Sequence, residues 1–138
     1  MTAPQGAAAP IAGARKLLVV MSDLLFRSKI DEVARRLGLE LRVAKSPEQL
    51  DRQLAAGEPG LAIVDLEESA LDPFAAIARI HSTSPGTPIL GFAGHGNVEA
   101  IRRGREGGAT VLARSGFTAQ LPALLTQVAD RERARAPK

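Results

Sequence analysis

LAIVDLEESALDP (61–73) decides the fold. Its first six residues form an apolar run broken only by Asp65, the pattern of a short strand buried on both faces. Seven positions past Asp65, Asp72-Pro73 supplies a capping carboxylate and a first-turn proline, and Phe74, Ile77 and Ile80 then recur at helical spacing. Strand, loop and helix thus follow one another within residues 61–80.

The same unit repeats in both directions. Upstream, KLLVVM (16–21) is another doubly buried run, and Phe26, Ile30, Val33, Ala34 and Leu37 trace a helix that stops at Gly38. ELRVA (40–44) alternates Leu41 and Val43 as a strand with one polar face. Ser46-Pro47-Glu48-Gln49 combines a capping hydroxyl, a first-turn proline and a reciprocal glutamine, which predicts a helix to about Ala56. Downstream, PILGFA (88–93) reads as a strand, Asn97 to Glu106 as a short helix ended by Gly107-Gly108, and ATVLA (109–113) as a strand. Leu121, Leu124, Leu125 and Val128 mark a last helix, with Pro122 expected in its first turn, where amides lack intrahelical partners anyway. Five strands alternating with five helices predict a doubly wound α/β domain with a five-stranded parallel sheet. Its functional crevice is expected outside the carboxyl ends of the strands.

The 138 residues suit one domain, and 45% hydrophobic against 24% charged residues suit a globular core. The absence of cysteine excludes disulfides, thiolate metal sites and cysteine nucleophiles. The only aromatic residues are four phenylalanines, too few for stacking platforms on single-stranded nucleic acid. No apolar run approaches the roughly 20 residues of a membrane span, and the start of the chain lacks the pattern of a signal peptide, so a cytoplasmic protein without membrane insertion is expected.

The net charge of +3 divides unevenly. Arg15, Arg131, Arg133, Arg135 and Lys138, with the single acid Glu132, lie outside residues 16–130; without them 13 bases and 14 acids remain, a net of −1. The expected organisation is a disordered Ala/Pro-rich leader over 1–15, a domain over 16–131 and a basic tail over 132–138. Such a tail can hold a polyanion, although nucleic acid is disfavoured as the partner.

The strands end at Met21-Ser22-Asp23, Asp65-Leu66-Glu67-Glu68, Ala93-Gly94-His95 and Arg114-Ser115-Gly116. Here residues 16–130 resemble the receiver domain of bacterial two-component response regulators. The matches are the (βα)5 rhythm of the flavodoxin-like fold, LAIVDL ending its strand in an acid, PILGFAGHGN, and GATVLARSGF in place of the family's Gly-Ala … Lys-Pro-Phe segment. The resemblance implies a phosphoacceptor at Asp65, fed by a histidine kinase. It also implies a divalent cation beside that residue, a Thr/Ser after the fourth strand and a Lys after the fifth.

The supporting positions depart from that pattern. Met21 and Ser22 replace the acidic pair, leaving Asp23 as the nearest acid, Ala93 replaces the hydroxyl, and Ser115 replaces the Lys. A metal would rest on Asp65, Asp23 and backbone carbonyls, a weak site by ligand charge, so Mg2+ is expected to bind weakly and no cofactor is assigned. Arg114 neighbours the Lys position, but strand alternation turns it away from Asp65 unless the strand end is irregular.

Asp65 itself has three open roles: solvated strand end, relic pocket carboxylate, or working phosphoacceptor. Glu67 and Glu68 read as a solvated loop, and His95 as a surface histidine. Arg102, Arg103 and Arg105 crowd the fourth helix, on a face receivers use for partners; with Arg114 they are the candidate partner-binding residues. Glu99–Arg103 and Arg102–Glu106 pairs would neutralise part of that face. The function expected is a stand-alone, non-enzymatic receiver-like signalling module binding a histidine kinase or downstream effector, with phosphorylation absent or unconventional. The alternatives are a phosphorelay receiver using Asp65 and a basic-tailed polyanion binder.

Overall fold

The computed structural model describes residues 8–135. Strands β1 (Leu17–Val20), β2 (Leu41–Ala44), β3 (Leu61–Asp65), β4 (Ile89–Ala93) and β5 (Thr110–Ala113) alternate with helices α1 (Leu24–Arg36), α2 (Pro47–Ala55), α3 (Pro73–Thr83), α4 (Val98–Glu106) and α5 (Arg114–Arg135). All strand pairs are parallel, in the order β2-β1-β3-β4-β5. This is the doubly wound sheet that the apolar runs predict.

Strand alternation sorts the core into two layers. Leu18, Val20, Ala62, Val64 and Val111 face α2, α3 and α4. Leu17, Val19, Ile63, Leu90 and Phe92 face α1 and α5, where Phe92 stacks on Phe117 at 4.8 Å and meets Phe26 at 5.0 Å. Gly104 shows how closely α4 lies on the sheet: a Cβ there would stand 2.8 Å from Leu66 and 2.9 Å from Val111.

Ser46 and Asp72 cap their helices as the sequence predicts, and Asp23 and Asn97 do the same for α1 and α4. Asp23, Ser46, Asp72 and Asn97 accept from the first-turn amides of α1 to α4. The Gln49 carboxamide reaches back to the Lys45 amide, one residue before the cap. Gly38, with φ +79°, turns the chain out of α1, as only glycine does without strain.

Both domain boundaries differ from expectation. Residues 8–15 pack on the fold: the Ala8 amide donates to the Arg35 carbonyl, the Ile11 amide to Gly38, and Ile11 joins the core around α1 and α5. Helix α5 runs through 132–135, and Glu132 is fully buried, accepting from the Arg15 amide (2.8 Å) and guanidinium (2.7 Å). The C-terminal arginines fold back likewise: Arg131 donates to the Gly60 carbonyl, Arg133 to Leu37 and Arg135 to Gly13. Periodicity does not mark these segments, because polar and ionic contacts with the single apolar anchor Ile11, not an apolar stripe, hold them. Residues 1–7 of the expected leader and 136–138 of the expected tail lie outside the described residues.

Pro122 also departs from expectation. Because α5 starts directly at Arg114, Pro122 stands in the helix interior. It lies on the exposed side, so the missing amide and the Thr118 carbonyl it would have served face water.

Candidate functional site

The strand order reverses between β1 and β3, so the crevice of a doubly wound sheet lies outside their carboxyl ends. Asp65 closes β3 there, 6% exposed. Its Oδ1 accepts the Glu67 amide at 2.9 Å and lies 3.7 Å from the Arg114 guanidinium. Burial pushes the Asp65 carboxyl above its ordinary range, while the Glu67 amide and Arg114 pull the other way.

Arg114 reaches Asp65 because the end of β5 is irregular: α5 begins at the residue after Ala113, with no intervening loop. Its guanidinium stands 4.9 Å from the ring centroids of Phe26 and Phe92 and 3.7 Å from Glu67 Oε1. Aromatic faces and two carboxylates therefore fix a single cation over the crevice. Arg114, grouped by sequence with the α4 arginines, thus belongs spatially to Asp65. Ser115 is exposed, and Met21 and Ala93 are buried without a polar group to offer.

The two glutamates after β3 are tethers, which differs from the solvated loop expected. Glu67 accepts the Gly94 amide and the Asn97 carboxamide, both at 3.0 Å, joining the loop after β4. The Asn97 bond first, then the Gly94 amide, hold its carboxyl below the ordinary range against the opposition of burial. Glu68 reaches the loop after β1, accepting the Ser22 amide and hydroxyl, and also the Ser69 and Ala70 amides. Burial opposes its charge, yet those hydrogen bonds outweigh it and hold the carboxyl low. The loops after β1, β3 and β4 are thus joined by two carboxylates of the chain itself. The signal was legible only as adjacent acids behind a strand; their partners in the other loops are 27 to 46 positions away.

The donor set does not fit a divalent cation, which wants several oxygens on one centre. Asp23 is committed to the Phe26 amide at 3.0 Å as the cap of α1, Glu67 and Glu68 are committed to the loops, and Arg114 adds a positive charge beside Asp65. Among the described residues, no three acidic or histidine side chains gather as a metal site.

The α4 arginines are engaged within the molecule. Arg102 takes both Glu99 and Glu106, Arg103 stacks 3.9 Å over the Phe74 ring instead of pairing with Glu99, and Arg105 donates to the Val111 carbonyl at 3.3 Å. The exposed apolar side chains lie elsewhere: Leu24 and Leu25 open α1, 60% and 79% exposed, and Val98 opens α4 at 71%. Leu24 and Leu25 fall outside the buried helical stripe of α1, the sequence signal that marks them as exposed. His95 is exposed on its loop, and no helix among the described residues is long and apolar enough to cross a membrane.

No protein-family profile and no curated protein matches the chain. Solved structures do. A response regulator from Chloroflexus aurantiacus aligns with a TM-score of 0.72 at 26% identity, over 86% of this chain and 99% of its own. A CheY-like receiver domain from Methanospirillum hungatei gives 0.73 at 14%, over 90% and 100%. The signal receiver domain of an HD-domain protein from Pseudomonas fluorescens gives 0.73 at 22%, over 94% and 98%. The fold is that of response-regulator receiver domains.

Proposed function

We propose that this receiver-like fold serves as a signalling module that binds protein partners without enzymatic activity, with phosphorylation of Asp65 absent or unconventional. One observation carries the reading: Glu67 and Glu68 already occupy the amides of Gly94 and Ser22 at the mouth of the crevice. A phosphoryl group on Asp65 would bring a charge near −2 beside both carboxylates. Like charges a few ångströms apart repel by roughly a few kcal/mol at an effective dielectric constant near 20. The acids that would recruit a neutralising cation are absent at Met21 and Ser22, a hydroxyl is absent at Ala93, and Ser115 carries no charge. Leu24, Leu25 and Val98, exposed at the starts of α1 and α4, give a partner apolar surface at this end of the sheet.

A second reading, a phosphorelay receiver modified on Asp65, is favoured by Arg114, whose guanidinium could bond phosphoryl oxygens in place of a Lys. Incubation with acetyl phosphate and Mg2+, read by intact mass, separates the two. No stoichiometric adduct is expected. An adduct that Asp65→Asn abolishes would establish the phosphorelay reading instead.

A further inference from the structure

Strand β2 is an edge strand, paired only with β1. The Leu17 amide donates to the Glu40 carbonyl, and Leu17 stands in register with Leu41. In a parallel pair the residues bonded to the neighbour alternate, so Glu40 and Arg42 turn their backbone groups to β1, and Leu41 and Val43 turn theirs to the open edge. Along that edge, between α1 and α2, runs a groove of about 680 Å³. Leu41 and Val43, both half-buried, form its apolar floor, and Arg27, Lys45 and Arg52 stand around it against the single acid Asp31.

Asp31 is paired with Arg35, 3.9 Å away. Among the described residues, no carboxylate lies within ion-pair distance of Arg27, Lys45 or Arg52, whereas Arg102 and Arg114 have two each. The groove therefore joins three features at one edge: unpaired backbone donors and acceptors, an apolar floor with strand periodicity, and an uncompensated cluster of cations. None of its residues belongs to the Asp65 crevice.

We propose that this groove takes an extended acidic segment of a partner protein, added to the sheet as a strand beside β2. Backbone bonds to Leu41 and Val43 would set its register, alternate apolar side chains would cover the floor on the α1 side, and the intervening carboxylates, turned to the α2 side, would meet Arg52, with Arg27 and Lys45 adding to the positive field along the edge. A second copy of this chain is the poorer occupant, because edge-to-edge pairing would bring two sets of three cations together. A compact anion would use the charges but neither the floor nor the strand edge.

The probe is a labelled synthetic heptapeptide alternating Glu and Val, titrated into the full chain, with the alternating Lys and Val peptide as control. The Glu peptide is expected to bind and the Lys peptide not. Arg27→Glu with Arg52→Glu should weaken binding roughly tenfold or more. Val43→Pro, which removes an outward amide and leaves the bonds to β1, should abolish binding in protein that still melts cooperatively. If that variant does not fold, amide exchange decides the mode: Leu41 and Val43 amides should slow by roughly tenfold or more on binding, with Arg42 and Ala44 protected throughout. No binding at millimolar peptide, indifference to the double charge reversal, or unchanged exchange at Leu41 and Val43 would each overturn the proposal. So would displacement of the peptide by duplex DNA at lower concentration than by polyglutamate, which assigns the groove to a polyanion. A dimer in sedimentation that the charge reversal strengthens would assign it to a second copy.

Discussion

Asp65 keeps one hydrogen bond and one long ion pair in a setting that has removed most of its water. Its carboxyl accordingly holds a proton to higher pH in the folded chain than in the unfolded one. Between its ordinary and its raised value the folded state binds more protons, so the contribution of Asp65 to stability falls as pH rises through that window and is flat above it. Asp65→Asn keeps an acceptor for the Glu67 amide and deletes that fall. It is expected to raise the melting temperature at neutral pH by an amount equivalent to about 1–2 kcal/mol at most, measured by thermal melts between about pH 3 and pH 8. A variant less stable than the parent at neutral pH would mean that attraction to Arg114 outweighs burial. Glu67 and Glu68 act with the opposite sign: their contribution is present above the ordinary carboxylate range and is lost as pH falls through their lowered values. The strand-ending acid was legible from its apolar run. The roles of Glu67 and Glu68 were not, because their partners come from other loops.

At the scale of elements, α5 is where local reading and fold diverge most. Phe117, Leu121, Leu125, Val128 and Glu132 form one buried stripe, continuous from just after β5 to the last turn. An early start at Arg114 swings that side chain over Asp65 and leaves Pro122 in mid-helix. The preference of proline for first turns puts the start near Pro122. Packing of Phe117 against Phe92 is what carries the helix back to the strand. Proline inside a helix costs up to about 3 kcal/mol relative to alanine, part of it offset by its stiffening of the unfolded chain. Pro122→Ala on this exposed position should therefore stabilise the protein by about 1–2 kcal/mol, read as a higher melting temperature. A lower one would show that the proline shapes α5 in a way the sheet requires.

At the scale of the molecule, Arg15 and Glu132 tie the two ends of the described chain together across 117 positions. Burial disfavours the Glu132 charge, but the hydrogen bonds and charge of Arg15 outweigh it and hold the carboxyl below its ordinary range. Its contribution is therefore present above that range and lost as pH falls through the lowered value. Breaking a buried pair costs about 3–5 kcal/mol, less here because Arg15 keeps Glu58 at 2.9 Å and some contact with water. Glu132→Ala should cost about 2–3 kcal/mol, lowering the melting temperature by roughly 10 °C. Removal of 132–138 should do the same, whereas Arg133→Ala, which breaks an exposed pair with Asp130 and an exposed hydrogen bond to the Leu37 carbonyl, should cost no more than about 1 kcal/mol. Unchanged melting of Glu132→Ala would mean that the ends are held by other contacts.

Apolar periodicity by itself determined the five strands, the five helices, the parallel sheet and the strand-end position of Asp65, because each follows from which residues must leave water. Ser46 and Asp72 were legible as caps for the same local reason, since a side chain two or three positions from an amide needs no tertiary structure to find it, whereas Asp23, read as a metal candidate, caps α1. What surrounds Asp65 was decided by tertiary structure alone. Glu67 and Glu68 find their loops, Arg114 finds two rings and two carboxylates, and Arg15 finds Glu132 only once the sheet has brought distant segments within hydrogen-bond reach. Charge patterning along the chain cannot report such pairs, since an ion pair depends on separation in space and a sequence records separation along the backbone.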